Sequence, residues 1–349
     1  MKPIAICQNK RVFDHYTSWI PRLIEYCEEN KIPYEIVDCY SNGFIDSIDS
    51  YSALVWYYSN YVISDLLEAW NILKVAETKG LVTFPATNSN WHFDDKIAEM
   101  YALKSVDAII PNSWVFYLKD DCINWLKKEA KYPLIGKLRA GSGSNNVKKF
   151  NNASQAIAYA NRMFSKGYDP SPSFAYKAIS KFQSSKNVKM MISRIKKIPQ
   201  FLNTRRHAKM MPIEKGYCYF QEFVPNDGYD LKVVVIGDKM TFCARKVRNN
   251  DFRASGGGDI YYDRRLLTER IIDSAFSTAK KLQMNCVGFD YVIDKSTGEC
   301  KIIEMCYGFD YVAQKDLCAY VDATHIWHEE PVCVPDEVIK MVVSKIKTE

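Results

Sequence analysis

Strands and helices are distributed in two different ways along this 349-residue chain, and the contrast limits the folds open to it. In residues 1 to about 95, the short apolar runs KPIAICQ, IPYEIVDCY, SALVWYYS and LVTFPAT alternate with stretches of helical spacing. YTSWIPRLIEYCEENK puts Trp19, Leu23 and Tyr26–Cys27 on one stripe. SDLLEAWNILKVAETKG opens on Ser64, a candidate N-cap, and closes on Gly80, a candidate C′ residue. Such alternation predicts a parallel, doubly wound α/β layer. From Tyr217 onward strands follow one another directly: YCYFQEFV, DLKVVVIG and MTFCARKV, then a helix, TERIIDSAFSTAKKL, then VGFDYVID and CKIIEMC. Turns at Asn226-Asp227-Gly228 and Gly237-Asp238-Lys239 predict a mixed, largely antiparallel α+β layer. Between the two layers lie helix FDDKIAEMYALKSV, strand SWVFYL, helix DDCINWLKKEA, strand YPLIGKL and helix NASQAIAYANRMF. PDEVIKMVVSKI is a closing helix.

Hydrophobic content of 47% and charged content of 25% are those of a globular protein throughout. The net charge of +6 permits an acidic substrate without implying nucleic acid. It is unevenly spread. Residues 166–215 hold twelve Lys and Arg against Asp169 and Glu214, about +10, so the remainder is slightly acidic. This basic insertion suits either steering of a polyanion or a solvated lid. Aromatic interleaving by residues such as Phe174, Tyr176, Phe182 and Phe201 is too sparse to make nucleic acid the expected partner. The eleven cysteines are scattered and include no C-x-x-C pair, which reads as reduced thiols in a cytoplasmic protein. No apolar run approaches a membrane span, and the N-terminus carries no secretory pattern. His325 and His328 have helical i, i+3 spacing but no third partner, and read as structural or exposed.

The chemically informative stretch is VGFDYVIDKSTGECKIIEMC. Strand alternation puts Asp290, Val292 and Asp294 on one face, and Glu304, Ile302 and Cys300 on one face of the return. A turn at Ser296-Thr297-Gly298 then sets Asp290 opposite Glu304, with a bulge at Gly298 able to slip the register. Facing carboxylates repel unless neutralised, and a hard divalent cation does this well. An exposed acidic face in solvent is the other account, and the hairpin alone leaves both open. Lys137 ends the apolar strand YPLIGKL just before Arg139-Ala140-Gly141-Ser142-Gly143-Ser144. It is either a phosphate clamp or a solvated lysine beside a surface turn. Lys96, after Asp94 and Asp95, reads by itself as a surface lysine.

Taken in order, these motifs resemble the ATP-grasp superfamily, in its glutathione synthetase-like and ribosomal-protein-glutamylating branch, including polysaccharide-associated members. The resemblance runs from Trp91 to about Tyr307. It implies an ATP-grasp fold of classes α/β and α+β. The units would be an N-terminal parallel α/β (pre-ATP-grasp) domain over 1–95, a lid subdomain over 96–220 with the insertion 166–215, and a C-terminal mixed-sheet subdomain over 221–349 with the metal site. WHFDDKIAEMYAL makes Lys96 an ATP ligand. YPLIGKLRAGSGS gives Lys137 the α/β-phosphates and Ser142, Gly143 and Ser144 the phosphate cover. In YFQEFVPNDGYDLKVVVIG, Gln221, Glu222, Phe223 and Val224 would flank adenine and Asp230 would hold the ribose hydroxyls. RKVRNNDFRASGGG offers Arg245, Arg248 and Arg253 as charge stabilisers, and Asp290 and Glu304 match the Mg²⁺ carboxylates. Two departures stand out. Lys232 occupies a position where the family commonly has Arg, and Cys306 one where it commonly has Asn; a thiol is a poor Mg²⁺ ligand.

The resemblance implies an ATP- and Mg²⁺-dependent ligase joining a small-molecule or glycan carboxylate to an amine through an acyl phosphate. A glycan uronate with an amino acid or amino alcohol is the preferred pair. No general base is singled out, with Asp251 and Asp310 as candidates. A kinase on the same scaffold and a nucleotide-binding regulator without catalysis are the rival classes. The oligomeric state is open to a homodimer.

Overall fold

The computed structural model describes residues 1–8, 18–60, 62–141, 146–170, 209–247, 252–253 and 259–348. Ser142, Gly143, Ser144, Arg248 and Asp251, and residues 171–208 of the basic insertion, lie outside them.

The first layer is a four-stranded sheet in the order β2-β1-β3-β4, built from β1 (Ile4–Cys7), β2 (Tyr34–Val37), β3 (Ala53–Val55) and β4 (Val82–Phe84). All its pairings are parallel, as strand–helix alternation predicts. The intervening helices are α1 (Ile20–Glu29), the short α2 (Phe44–Ser47) and α3 (Ile63–Thr78). Both sheet faces are covered, so β1 and β3 are buried at every residue.

Helix α3 departs from expectation at its start. Its N-cap is Val62, not Ser64, which lies inside the first turn. The adjacent Asp65 is what organises this end: its carboxylate accepts from the Ser59 amide at 2.7 Å and from the Tyr40 hydroxyl. The other end is as expected. Gly80, with φ +82°, takes the left-handed C′ position; its N–H reaches Glu77 and that of Leu81 reaches Ala76, both at 3.0 Å.

After the short α4 (Thr87–Asn90) and α5 (Lys96–Ser105), a second sheet runs β5-β8-β6-β7. It comprises β5 (Ser113–Phe116), β6 (Leu134–Lys137), β7 (Val147–Phe150) and β8 (Cys218–Glu222), all antiparallel. Strand β7, rich in lysine, was not legible as a strand. Helices α6 (Lys119–Lys128) and α7 (Ala153–Met163) pack on the face carrying Leu134, Phe150 and Phe220. The opposite face, with Ile135, Lys137, Val147 and Gln221, lines a cleft.

The third sheet is antiparallel in every pairing, with the order β13-β12-β9-β10-β14-β15 and β11 on the same edge of β10 as β14. The strands are β9 (Tyr229–Ile236), β10 (Lys239–Lys246), β11 (Ile260–Tyr261), β12 (Cys286–Ile293), β13 (Cys300–Cys306), β14 (Tyr320–Asp322) and β15 (Trp327–His328). Helix α8 (Glu269–Lys281) buries Ile271, Ile272, Ala275 and Ala279 against Leu231, Val233 and Val235. The other face of β9 divides along its length. Asp230 and Lys232 face the cleft, whereas Val234 and Ile236 join the core of the first sheet. His325 and His328 sit in the β14–β15 hairpin, not on a helix. His328 Nε2 lies 2.8 Å from Asp322 and its ring stacks on Tyr320; His325 contacts Asp273 at 2.8 Å. Both are structural.

After the short α9 (Val312–Lys315), the closing helix α10 (Val334–Thr348) returns to the first sheet. Val334, Val338, Ile339 and Val342 enter the core of that sheet, and Asp336 receives two bonds from Arg22 of α1, at 2.6 and 2.8 Å.

Gly136, the residue before Lys137, has a packing reason. A Cβ there would stand 2.6 Å from the Phe150 ring and 3.3 Å from that of Tyr159, both held in the core. Gly136→Ala is expected to lower unfolding stability by about 1–3 kcal/mol, measured by urea titration; a neutral result would show that the rings can yield.

Candidate active site

Four strands of the third sheet carry charge in register. Asp230 pairs directly with Arg245, Lys232 with Asp290, and Asp290 with Glu304. Direct cross-strand partners share a face, so all five side chains meet on the cleft side. Arg245 grips Asp230 with two bonds, Nε to Oδ1 at 2.7 Å and Nη2 to Oδ2 at 2.9 Å, and also reaches Asp290 Oδ2 at 2.9 Å. Lys232 Nζ lies 2.7 Å from Asp290 Oδ1.

The electrostatics follow. Burial opposes ionisation of Asp290, but Arg245 and Lys232 outweigh it and hold the carboxyl down at about 2. Asp230 goes the other way: burial, reinforced by the charge of Asp290, exceeds the pull of Arg245 and lifts it to about 6. Burial works against the Arg245 charge too, yet the two aspartates keep its guanidinium firmly protonated.

The register confirms Asp290 opposite Glu304 and corrects two details. The slip of one residue is present, but it falls between Asp290 and Tyr291, leaving Ile303 as the extra residue, and not at Gly298. The bulge also breaks the expected shared face of Glu304, Ile302 and Cys300. Ile302 and Cys300 join Met305 in the core, whereas Ile303 and Glu304 face the cleft. Asp294 does not join the site; it stabilises the turn, accepting from the Ser296 amide at 2.9 Å and hydroxyl at 2.6 Å.

Two lysines arrive from outside this sheet. Lys96 opens α5, whose N-cap Asp95 accepts from the amides of Ile97 and Ala98 at 3.1 and 3.0 Å. A lysine in a first turn opposes the helix dipole, at about 0.3–1 kcal/mol. Its place is set by what it meets: Nζ donates to the Gly141 carbonyl at 2.5 Å and lies 3.7 Å from Glu304. Burial alone would depress Lys96, but Glu304, Glu99 and Asp94 reverse this and raise it. Lys137 Nζ donates to the carbonyl of the bulged Ile303 at 3.0 Å. Burial, with Lys96 nearby, brings it down to about 8 against the pull of Glu304. Both lysines are buried.

The segment expected at adenine follows β8 along the same cleft, where Gln221, Glu222, Phe223 and Val224 all contribute to its wall. Gln221 donates to Ser113 at 3.2 Å, and Lys149 lies 3.7 Å from the centre of the Phe223 ring. Glu222 is occupied, receiving Lys301 and Asn112 at 2.7 Å each. Burial disfavours its charge, but these donors lower it. Arg253 lines the cleft as well. Cys306 is tied to the Gly308 carbonyl at 2.9 Å, and burial pushes its thiol up to about 12.

No protein-family model and no curated protein matches this chain. Solved structures do, over nearly its whole length. A RimK-domain ATP-grasp protein from Sphaerobacter thermophilus is 12% identical with a TM-score of 0.56, covering 98% of this chain and 99% of its own. The D-alanine–D-alanine ligase of Bacillus anthracis complexed with ATP is 14% identical at TM-score 0.55, with 99% and 98% covered. The ATP-grasp ligase PsnB, complexed with a minimal precursor, Mg and ADP, is 11% identical at TM-score 0.52, with 99% and 98% covered. The chain has the ATP-grasp fold.

Within this ATP-grasp frame, the motifs singled out in the sequence converge from three places: the start of α5, the end of β6 and the β9–β13 ladder. Two further residues were missed. Glu99, one turn after Lys96, is buried and accepts from the Met305 amide at 3.3 Å; burial pushes it up to about 8 despite Lys96. Its i, i+3 spacing from Lys96 was the available signal. Asp94, at φ +56°, accepts from the Gly141 amide at 2.9 Å and Asn60 at 3.1 Å, and burial lifts it to about 6. It anchors the start of the glycine loop.

Arg245→Leu would strip two buried carboxylates of their shared cation, at a cost of about 3–5 kcal/mol at pH 8. Without the cation, folded-state pKa values rise above those of the unfolded chain. The deficit is therefore full above the raised values and shrinks as pH falls and the acids protonate. Urea unfolding at pH 8 and pH 5 should show a smaller loss at pH 5, and an equal loss at both would contradict this account.

Proposed function

We propose that the protein is an ATP- and Mg²⁺-dependent ligase that activates a carboxylate as an acyl phosphate and joins it to an amine. The observation that carries this is the convergence of Lys96 and Lys137 on the Asp290–Glu304 pair from elements outside the sheet that bears the acids.

The residues suit one hard cation. Asp290 and Glu304 are directly opposed on the cleft face, and hard carboxylate oxygens are the donors such a cation takes. Cys306, a soft donor tied to Gly308, is not a third ligand for it. Mg²⁺ held by the two carboxylates would neutralise phosphate charge.

Everything else is work for the chain. Residues Gln221–Val224 flank the base. Asp230, whose oxygens keep lone pairs beyond those used by Arg245, accepts from the ribose hydroxyls. Lys96 and Lys137 bind the α- and β-phosphates, with Ser142, Gly143 and Ser144 covering them. Arg245, Arg248 and Arg253 stabilise charge as the substrate carboxylate attacks the γ-phosphoryl group and ADP departs. The amine then attacks the acyl carbon and phosphate leaves. A glycan uronate is the favoured acid and an amino acid or amino alcohol the favoured amine, because the insertion's charge of about +10 suits a polyanion.

The test supplies purified protein with ATP, Mg²⁺, uronate oligosaccharides and pooled amines. ADP release that requires an amine, with a product heavier by that amine, is the expected result. A phosphorylated product without amine would make it a kinase, and nucleotide binding without turnover a regulator. Glu304→Gln should reduce turnover on the order of 10²-fold, as loss of a charge-stabilising group does. Lys137→Met should raise the KM for ATP about tenfold, the cost of one charge-assisted contact.

A further inference from the structure

We propose that Glu99 is a positioning residue that holds the strand bearing Glu304 in its bulged form, and so sets the geometry of the cation site; this rests on the metal role proposed for Asp290 and Glu304.

Strand β13 is the edge of its sheet, with β12 on one side only. An edge strand has free backbone groups along its outer side and yields easily to slippage. Three contacts close that side here, and they bracket the bulge. The Ile302 amide donates to the Ile109 carbonyl at 2.9 Å, Lys137 donates to the Ile303 carbonyl at 3.0 Å, and the Met305 amide donates to Glu99 Oε2 at 3.3 Å. Glu304 lies between the last two. Its own side chain faces the cleft because the register changes at Ile303, whereas its neighbours Ile302 and Met305 face the core.

The turn by itself does not produce this arrangement, although regular pairing would carry Glu304 onto the core face. The turn around Gly298 is closed by Asp294, and the pairing from Ile293 to Tyr291 would continue with Ile303 opposite Asp290 and Glu304 opposite Phe289. Contacts from outside the hairpin also hold the extra residue in place. Lys137 holds one side of Glu304 and also has a substrate to bind. Glu99 holds the other side from α5, one turn after Lys96, where it is 5% exposed.

Glu99→Gln keeps the shape and an oxygen that accepts from Met305, whereas Glu99→Leu keeps the volume and loses the acceptor. Isothermal titration of Mn²⁺ into the protein–AMPPNP complex separates the cases. The Leu variant should bind Mn²⁺ about 10- to 100-fold more weakly and the Gln variant within about threefold of wild type, the range expected when the support of a metal ligand is lost or kept. AMPPNP binding without metal should be unchanged in both. Wild-type affinity in the Leu variant, equal loss in both variants, or equal loss of metal-free nucleotide binding would each overturn the proposal. Hydrogen exchange on the wild-type protein gives a check that survives a poorly folding variant: the Met305 amide should be protected, and rapid exchange would refute its bond to Glu99. Failure of the wild-type complex to bind Mn²⁺ would instead bring down the metal reading itself.

Discussion

The ion pairs around Asp290 are the constraint to which the rest of the site is fitted. A fully buried carboxylate in an apolar sheet is costly unless cations meet it. Lys232 does so from the adjacent strand and Arg245 from the strand beyond it, and Arg245 simultaneously satisfies Asp230. This fixes the relative register of β10, β9 and β12, since a slip of one residue would turn each of these side chains into the core of α8. With that ladder fixed, the bulge at Ile303 brings Glu304 opposite Asp290, and Lys96 meets Glu304 there.

Lys232 is therefore more than a substitute for a commoner arginine. As the direct cross-strand partner of Asp290, it neutralises the same carboxylate that the proposed cation would use. A lysine offers one point charge where arginine offers a fork. Lys232 meets Asp290 alone through its one charge, while Arg245 is bonded to both aspartates.

The pattern of what could be read from the residues follows the range of the forces involved. Parallel and antiparallel layers were legible because alternation and short turns are local. Asp290 opposite Glu304 was expected from the turn, but the strands leave that turn one residue off the expected register and the bulge restores the pair. The bulge at Ile303 was not legible, since the groups that hold it, Lys137, Glu99 and the Ile109 carbonyl, are distant in sequence. Ser64 looked like an N-cap because its type suits one, but Asp65 is engaged by Ser59 and Tyr40 and the helix begins at Ile63. The spacing of His325 and His328 fits a helix equally well; the hairpin is decided by Asp322, which accepts from the amides of Thr324 and Ile326 and from His328. Lys96 looked like a surface residue because nothing nearby in sequence reveals that the N-terminus of α5 abuts a sheet formed two hundred residues later.

The return of α10 to the first sheet has a consequence for synthesis. Domains usually collapse as they leave the ribosome, N-terminal part first. Here the first parallel sheet emerges early, but Val334, Val338, Ile339 and Val342, which complete its core, emerge only after both other sheets, as does the Asp336 partner of Arg22. Until then β4 and its neighbours present an uncovered apolar surface. A nascent chain must carry this surface through the translation of both other sheets, so its burden on chaperones falls early while its remedy comes only after them.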